Sequence, residues 1–303
     1  MYSINDDGSL KKTLTVGPYP QLSRFEQKIE GNSVLVTNLA DAAIGRDPLQ
    51  DGILRVPLNP STSGLKTVVI DLHGSSTMSY HMGDPYDAWF SAKLGFKTAL
   101  LYLGDGKRPV LGTLAPSSRV EPQKPTLLNW VTSYLPGSSI PRAPNSQGKE
   151  WITFTDVAPF LITSETSLTD VSARIRDQTT TGMHRFRPNI VVSGGDAWAE
   201  DFWQTLTVNG RPTFELTANC GRCSSINVDY EAGKPAEGEA GSVLKKLMTD
   251  RRVDAGNKWV PIFGRLAFLV RGDEDDGECA RVSVGDHIQV TRRRETRDVW
   301  DWP

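Results

Sequence analysis

Apolar residues in this chain fall mainly into short runs broken by Gly, Pro, Asn and Asp, the pattern of strands and tight turns rather than long helices. Phe25–Ile29 and Ser33–Thr37 flank a Gly31-Asn32 turn and predict a hairpin. Upstream, Asn5-Asp6-Asp7-Gly8 predicts a turn and Leu14-Thr15-Val16 an alternating strand. Ile53–Leu58 and Lys66–Leu72 predict two more strands. Asp84–Gly95 differs: an acidic start, Pro85 in the first turn, apolar residues at helical spacing and a glycine stop predict one amphipathic helix.

Residues 105–150 are rich in Pro, Gly and Ser with little periodicity, which predicts a long connection or insertion. After it, Phe160–Thr163 predicts a strand, and Ser164–Ile175 a helix capped by Ser164 or Thr166. Ser242–Met248 predicts a short helix, Ile262–Val270 a buried strand, and Val284–Val290 a turn with a closing strand. Many short strands with few helices give a mainly β fold with α decoration, built as a β-barrel. No internal repeat is visible.

The 303 residues carry a net charge of −2, so no electrostatic footprint for nucleic acid is expected. The basic run Arg292-Arg293-Arg294 reads as the solvated end of a strand. No apolar stretch is long enough to predict a membrane span, and the first residues lack the pattern of a signal or transit peptide. Three cysteines argue against a disulfide scaffold and for a reducing compartment. A soluble intracellular protein, cytoplasmic or mitochondrial, is expected.

Chemistry concentrates at Cys220-Gly221-Arg222-Cys223, which lies between predicted strands and near a second basic turn, Arg187-Pro188-Asn189. A CxxC pair by itself has several readings. A structural zinc site needs four ligands, and Cys279 with His73, His81, His184 and His287 does not supply the usual spacing. A thioredoxin-like pair needs a following helix, and Ser224–Val228 is poor helix sequence. Two reduced cysteines packed in a core remain the plain alternative. A thiolate beside arginines is also suited to a metal or an anionic cofactor. The acidic run Asp273–Glu278 lacks the spacing of a calcium loop, and His184 is the histidine worth testing because it adjoins the Arg187 turn.

Four motifs in order give the chain from about Phe154 to Val290 a resemblance to the MOSC domain, named for the C-terminal region of molybdenum-cofactor sulfurases. They are Phe160–Leu168, Phe186–Val192, Glu200-Asp201-Phe202-Trp203, and Cys220–Cys223 continuing to Val228-Asp229, with Phe263-Gly264 and Val284-Gly285-Asp286 behind them. Met1 to about Gly104 resembles the β-barrel domain that precedes MOSC in the amidoxime-reducing branch, with the Trp89-Phe90 helix its clearest marker. The resemblance divides the chain into a smaller β-barrel-like domain at 1–104, a connection at 105–150, a MOSC domain at 151–294 and a tail at 295–303.

The resemblance implies a molybdenum cofactor, a pterin dithiolene with a phosphate tail, whose metal is held by Cys223. Arg222 and Arg187 would keep that thiol ionised and offset the phosphate, Asn189 would read the pterin edge, and Asp156 and Ser164 would line the cofactor. Cys220 would pack beneath the site. The implied activity is reduction of small N-hydroxylated or N-oxygenated substrates, with molybdenum cycling between Mo(VI) and Mo(IV). Relatives open with a Tyr-Pro-Ile-Lys-Ser-like strand that grips the cofactor. This chain begins downstream of it and lacks a second arginine near Leu14-Thr15-Val16, which implies either a sequence truncated at its N-terminus or weak or absent cofactor binding, with an unpaired barrel edge. Bacterial relatives with a C-terminal ferredoxin domain extend beyond Pro303, so electrons are expected from a separate cytochrome b5-type or flavin/iron–sulfur donor. A non-catalytic cofactor or sulfur carrier is the alternative. Pyridoxal-phosphate binding is a family-level expectation only, since the desulfurase domain that precedes MOSC in sulfurases has no counterpart here.

Overall fold

The computed structural model describes residues 1–40, 52–118, 150–176, 181–270 and 279–303. The acidic run before Cys279 and most of the 105–150 connection lie outside them. The largest element is a curled six-stranded sheet, a half-barrel, whose spatial order is Ile190–Val192, Phe160–Ser164, Ile262–Val270, Thr213–Gly221, Trp203–Val208 and Ile288–Arg293. All neighbours in it are antiparallel except Phe160–Ser164 with Ile190–Val192, which run parallel with Ile162 opposite Ile190.

The two longest strands sit side by side at its centre because both are almost continuously buried. Ile262–Val270 contributes Ile262, Phe263, Leu266, Ala267 and Phe268 to the interior. The strand bulges at Gly264, where φ is +81 and an added Cβ would stand 2.8 Å from the Ile162 carbonyl oxygen. Only glycine fits that bulge. One face of the sheet packs Leu206, Phe214 and Leu216 against Phe160 and Ile190. Elsewhere the helices Glu165–Ala173 and Val243–Leu247 close over Val171, Phe186, Ile226 and Phe263.

The first part of the chain forms three small sheets. The hairpin Phe25–Glu30 with Ser33–Asn38 turns where expected, Glu30 facing Ser33, and is joined by Leu54–Pro57. Lys66–Leu72 pairs with Ser75–His81, a strand whose Ser, Thr and His content hid it from hydropathy. Tyr2–Ile4 is the central strand of its sheet, paired with Leu10–Thr13 on one side and Thr98–Ala99 on the other. The strand expected at Leu14-Thr15-Val16 lies instead at Leu10–Thr13. Leu14 is turned inward as a buried wall residue, and its N–H is tied to the Met1 carbonyl at 3.0 Å. Helix Tyr86–Leu94 ends at Gly95 in the left-handed region, φ +80, as its sequence predicts.

Part of the stretch read as a connection belongs to the core. Leu114 and Ile152 are buried together with Trp302, and Arg108–Pro109 pairs with Trp151–Ile152. The chain end returns across both halves: the Trp302 indole N–H donates to the His73 carbonyl at 2.6 Å, and Asp301 accepts from the Thr113 N–H at 2.9 Å. No helix among the described residues is long and apolar enough to cross a membrane.

Candidate functional site

The cysteine pair straddles a strand end. Cys220 is still in Thr213–Gly221, half-buried against the core around Ala218 and Leu266, whereas Cys223 is exposed and starts a short 3-10 turn over Ser224–Asn227. No α-helix follows, which removes the geometry of a thioredoxin-like pair. Gly221 between them lies close under Val260, where an added Cβ would stand 2.9 Å from Val260 Cγ1 and push that methyl aside.

Arg222 is almost wholly buried, 6% exposed. One guanidinium nitrogen donates to Cys220 Sγ at 3.1 Å and another to the Phe186 carbonyl at 2.8 Å. Its guanidinium hydrogen bonds thus go to Cys220 and the Arg187 turn. Phe186 in turn stacks on Phe263 with ring centroids 4.1 Å apart. The cysteine loop, the turn and the central strand thus share one rigid contact. Burial pushes the Cys220 thiol up despite Arg222, so this sulfur stays a neutral thiol that accepts from the guanidinium.

Arg187 closes the 3-10 turn Met183–Phe186 with φ +55, a left-handed conformation uncommon for a residue other than glycine. Such strain of about 1 kcal/mol persists where surrounding contacts fix the backbone. Here Asn189 fixes it: its N–H donates to the Leu161 carbonyl at 2.9 Å and its side-chain oxygen accepts from the Leu161 N–H at 2.8 Å. That oxygen is therefore committed to the sheet, leaving the carboxamide NH2 as the group Asn189 offers outward. Arg187 itself is exposed and donates to Ser225 Oγ at 3.5 Å, and Ser225 Oγ lies 3.2 Å from Cys223 Sγ. Arg187 reaches the exposed thiol through a serine.

Arg187 also lines a cavity of about 320 Å³ between the two parts of the chain, with Phe154 and Asp156 on its side and Tyr2, Leu14, Ile70 and Leu101 opposite. A larger trough of about 600 Å³ on the outer sheet is lined by Glu26, Lys28, Glu30 and Arg55, with no thiol near it, and has no comparable chemistry. The Asp156 carboxylate lies 3.4 Å from His73 Nε2 and is held below the ordinary aspartate range, first by His73 and then by Arg187 and Arg222. It remains ionised at neutral pH. The Asp156 backbone is set by Arg108, a fully buried guanidinium that donates to the carbonyls of Thr153 at 2.8 Å, Thr155 at 2.7 Å, Ser75 and Asp156 at 3.2 Å, and Leu72. Ser164 is at the N-cap of helix Glu165–Ala173 but makes no capping bond, and its hydroxyl meets Thr166 Oγ1 at 2.7 Å instead.

Of the residues singled out from the sequence, Arg187, Arg222, Cys220 and Cys223 come together, Asp156 adjoins them electrostatically, Asn189 braces the turn and Ser164 bonds to its own helix. Three residues were missed: Arg108, His73 and Tyr230. Tyr230 has a buried hydroxyl without a hydrogen-bond partner among the described residues, and Arg222 Nε is equally unpaired. An exposed thiol beside two guanidinium groups with two unpaired donors fits an anionic, sulfur-rich group. Among the described residues no three His, Cys, Asp or Glu side chains converge as a metal site of their own.

The family model of the MOSC domain matches residues 149–289, the stretch that holds five strands of the half-barrel, the start of the sixth, and the Arg187 turn with the cysteine loop. Those residues are a MOSC domain. The chain is also similar to the rat mitochondrial amidoxime reducing component 2, 34% identical over 262 residues, covering 86% of this chain and 65% of that protein. With the human mitochondrial amidoxime-reducing component 1 it shares 31% identity over 180 residues, 53% of this chain and 50% of that protein. An Arabidopsis molybdenum cofactor sulfurase is 33% identical over 145 residues, 45% of this chain but only 16% of that protein. The match to the amidoxime-reducing relatives thus spans about half to two thirds of their length. The short match to the sulfurase lends nothing to a pyridoxal-phosphate role. The MOSC domain in these proteins links the chain to molybdenum-related function.

Proposed function

We propose that this protein holds a molybdenum cofactor through Cys223 and reduces N-hydroxylated substrates. The observation that carries the reading is the exposed Cys223 thiol on a loop locked by Arg222, with Arg187 one serine away. A soft thiolate completes a sulfur-rich sphere around a metal held by a dithiolene. Arg187, exposed and preset in its turn, offsets the anionic pterin phosphate, and the outward NH2 of Asn189 offers a donor to the pterin. When bound, the cofactor supplies two-electron oxygen-atom chemistry. For an amidoxime the balance is R–C(NH2)=N–OH plus two electrons and two protons, giving R–C(NH2)=NH and water as the N–O bond breaks. The electrons come from a separate cytochrome b5-type or flavin/iron–sulfur protein.

The test is molybdenum analysis of protein made in a cofactor-competent host, wild type against Cys223→Ala, followed by reduction of benzamidoxime with a chemical electron donor. Near-stoichiometric molybdenum lost in the variant, with turnover in the wild type, supports the reading. Molybdenum without turnover favours a cofactor or sulfur carrier, the reading to which the sulfurase similarity points. Protein without molybdenum in either form overturns the reductase and the cofactor carrier.

A further inference from the structure

Tyr230 follows the Val228–Asp229 bridge in a turn held from several sides. Asp229 Oδ1 accepts from the Glu231 and Ala232 N–H groups at 3.1 and 2.9 Å, and the Tyr230 carbonyl accepts from Ser23 Oγ at 2.9 Å. The His184 ring meets the phenol edge-on with centroids 5.7 Å apart. The side chain is thus fixed, yet its hydroxyl is buried with no partner among the described residues. Buried hydroxyls are nearly always paired, so a fixed one left unpaired needs an explanation. His184 belongs to the turn that ends at Arg187, and Arg187 reaches Cys223 through Ser225, so the phenol packs against the turn that meets the cysteine loop. Arg222 Nε is a second buried donor without a partner among the described residues, on a side chain 6% exposed that is bonded to the Phe186 carbonyl of the same turn. Two orphaned donors beside a free thiol and two guanidinium groups are complementary to one class of ligand, an oxyanion.

We propose that Tyr230 is a ligand-contacting residue of the Cys223 site, its phenol donating a hydrogen bond to an anionic oxygen bound between Arg187, Arg222 and Cys223. The assignment deepens the function proposed above and rests on it for the identity of the bound group. The acceptor oxygen belongs either to the resident cofactor or to the N–O group of the substrate, and the two sources separate experimentally. If the hydroxyl instead had a structural role, its removal would destabilise the free protein. A donor waiting for a ligand predicts the opposite.

Tyr230→Phe is therefore compared with wild type in three measurements. In urea denaturation of the cofactor-free protein, the variant is expected to be at least as stable as the wild type, because it removes an unsatisfied donor. In calorimetric titration of the cofactor-free protein with molybdate, affinity is expected to fall about threefold to tenfold if the acceptor is on the resident group. In benzamidoxime reduction by the loaded protein, KM is expected to rise by about the same factor if the acceptor is the substrate oxygen. Turnover absent from the wild type with the molybdate effect present fells the reductase reading and leaves Tyr230 in the site. The proposal is overturned if neither molybdate affinity nor KM changes, including the case in which the wild type shows neither binding nor turnover. A loss of stability in Tyr230→Phe without those effects assigns the hydroxyl to the fold.

Discussion

Arg222 and Cys220 are joined by an N–H···S contact of 3.1 Å, so the two thiols of one CxxC motif have opposite fates. Cys220 is half-buried, beneath a guanidinium, and its thiol is pushed up by burial. Cys223 is exposed with only the Ser225 hydroxyl at 3.2 Å. Alkylation by iodoacetamide at neutral pH, mapped by mass spectrometry, should modify Cys223 well before Cys220, because reactivity needs both access and thiolate. Equal rates would mean that the strand end opens and the lock on the loop is not kept.

Arg108 is expected to be the most sensitive residue outside the cysteine loop. Its guanidinium satisfies carbonyls from two separate segments, Leu72 and Ser75 on one side and Thr153, Thr155 and Asp156 on the other. Arg108→Met keeps much of the volume but leaves several buried acceptors unpaired, at a cost of roughly 3 kcal/mol or more. Chemical denaturation should show that loss, with Arg108→Lys intermediate, since an ammonium cannot span both segments. A loss below about 1 kcal/mol would show that the carbonyls find other donors.

These two cases mark where the sequence could be read and where it could not. Lys66–Leu72, Phe160–Ser164 and Ile262–Val270 are legible because apolar runs without helical spacing have few other solutions. Ser75–His81 escapes because its inward positions Ser75, Thr77 and Ser79 are polar while Met78 faces out, and its identity as a strand comes from pairing with Lys66–Leu72. Arg187 and Cys223 are legible because motif residues stand close in sequence to the turns that place them. Arg108 sits in a stretch whose composition reads as a linker, and its partners lie more than 30 residues away. Tyr230 gives no local signal at all. Its importance arises only when the turn after Val228–Asp229 folds beside the Arg187 turn, a tertiary event no spacing rule encodes.

The Asp156 carboxylate is lowered chiefly by its hydrogen bond with His73. A depressed carboxyl stabilises the fold above its unfolded pKa, and that contribution fades as pH falls through the folded value. Both side chains are substantially exposed, 44% and 72%, so the stabilising effect is small and screened by salt. In His73→Ala, NMR titration of Asp156 should move up toward the ordinary aspartate range, and the remaining depression should trace to Arg187 and Arg222. No movement would assign the shift to the arginines alone.

Trp302 tests whether the chain end holds the two parts together. Its ring is 8% exposed in the cluster of Leu114, Ile152 and Phe268, and its N–H reaches the His73 carbonyl. Trp302→Phe should cost about 1 kcal/mol for the hydrogen bond, and Trp302→Ala about 3–5 kcal/mol with the cavity included. Because His73 is at φ +57 and faces Asp156, the alanine variant should also relax the Asp156 titration toward ordinary values. Stability lost without that relaxation would limit the chain end to packing.

Glu200 carries the clearest pH prediction. It is fully buried, neither carboxylate oxygen has a hydrogen-bond partner among the described residues, and burial raises its pKa, with Ser167 and Arg251 offsetting this only in part and Asp201 adding to it. Below the unfolded carboxyl pKa both states are protonated and Glu200 contributes no penalty. As pH rises above about 4.3 the unfolded chain ionises first, so the unfolded state is favoured increasingly until the folded pKa is reached. Glu200→Gln removes that titration while keeping the shape. Urea midpoints of the two proteins should therefore coincide near pH 4 and diverge with rising pH, the variant becoming the more stable. Parallel curves would show that Glu200 is ionised and paired in the folded protein. A variant less stable at every pH would show that a carboxylate acceptor is needed at the start of the Glu200-Asp201-Phe202-Trp203 turn.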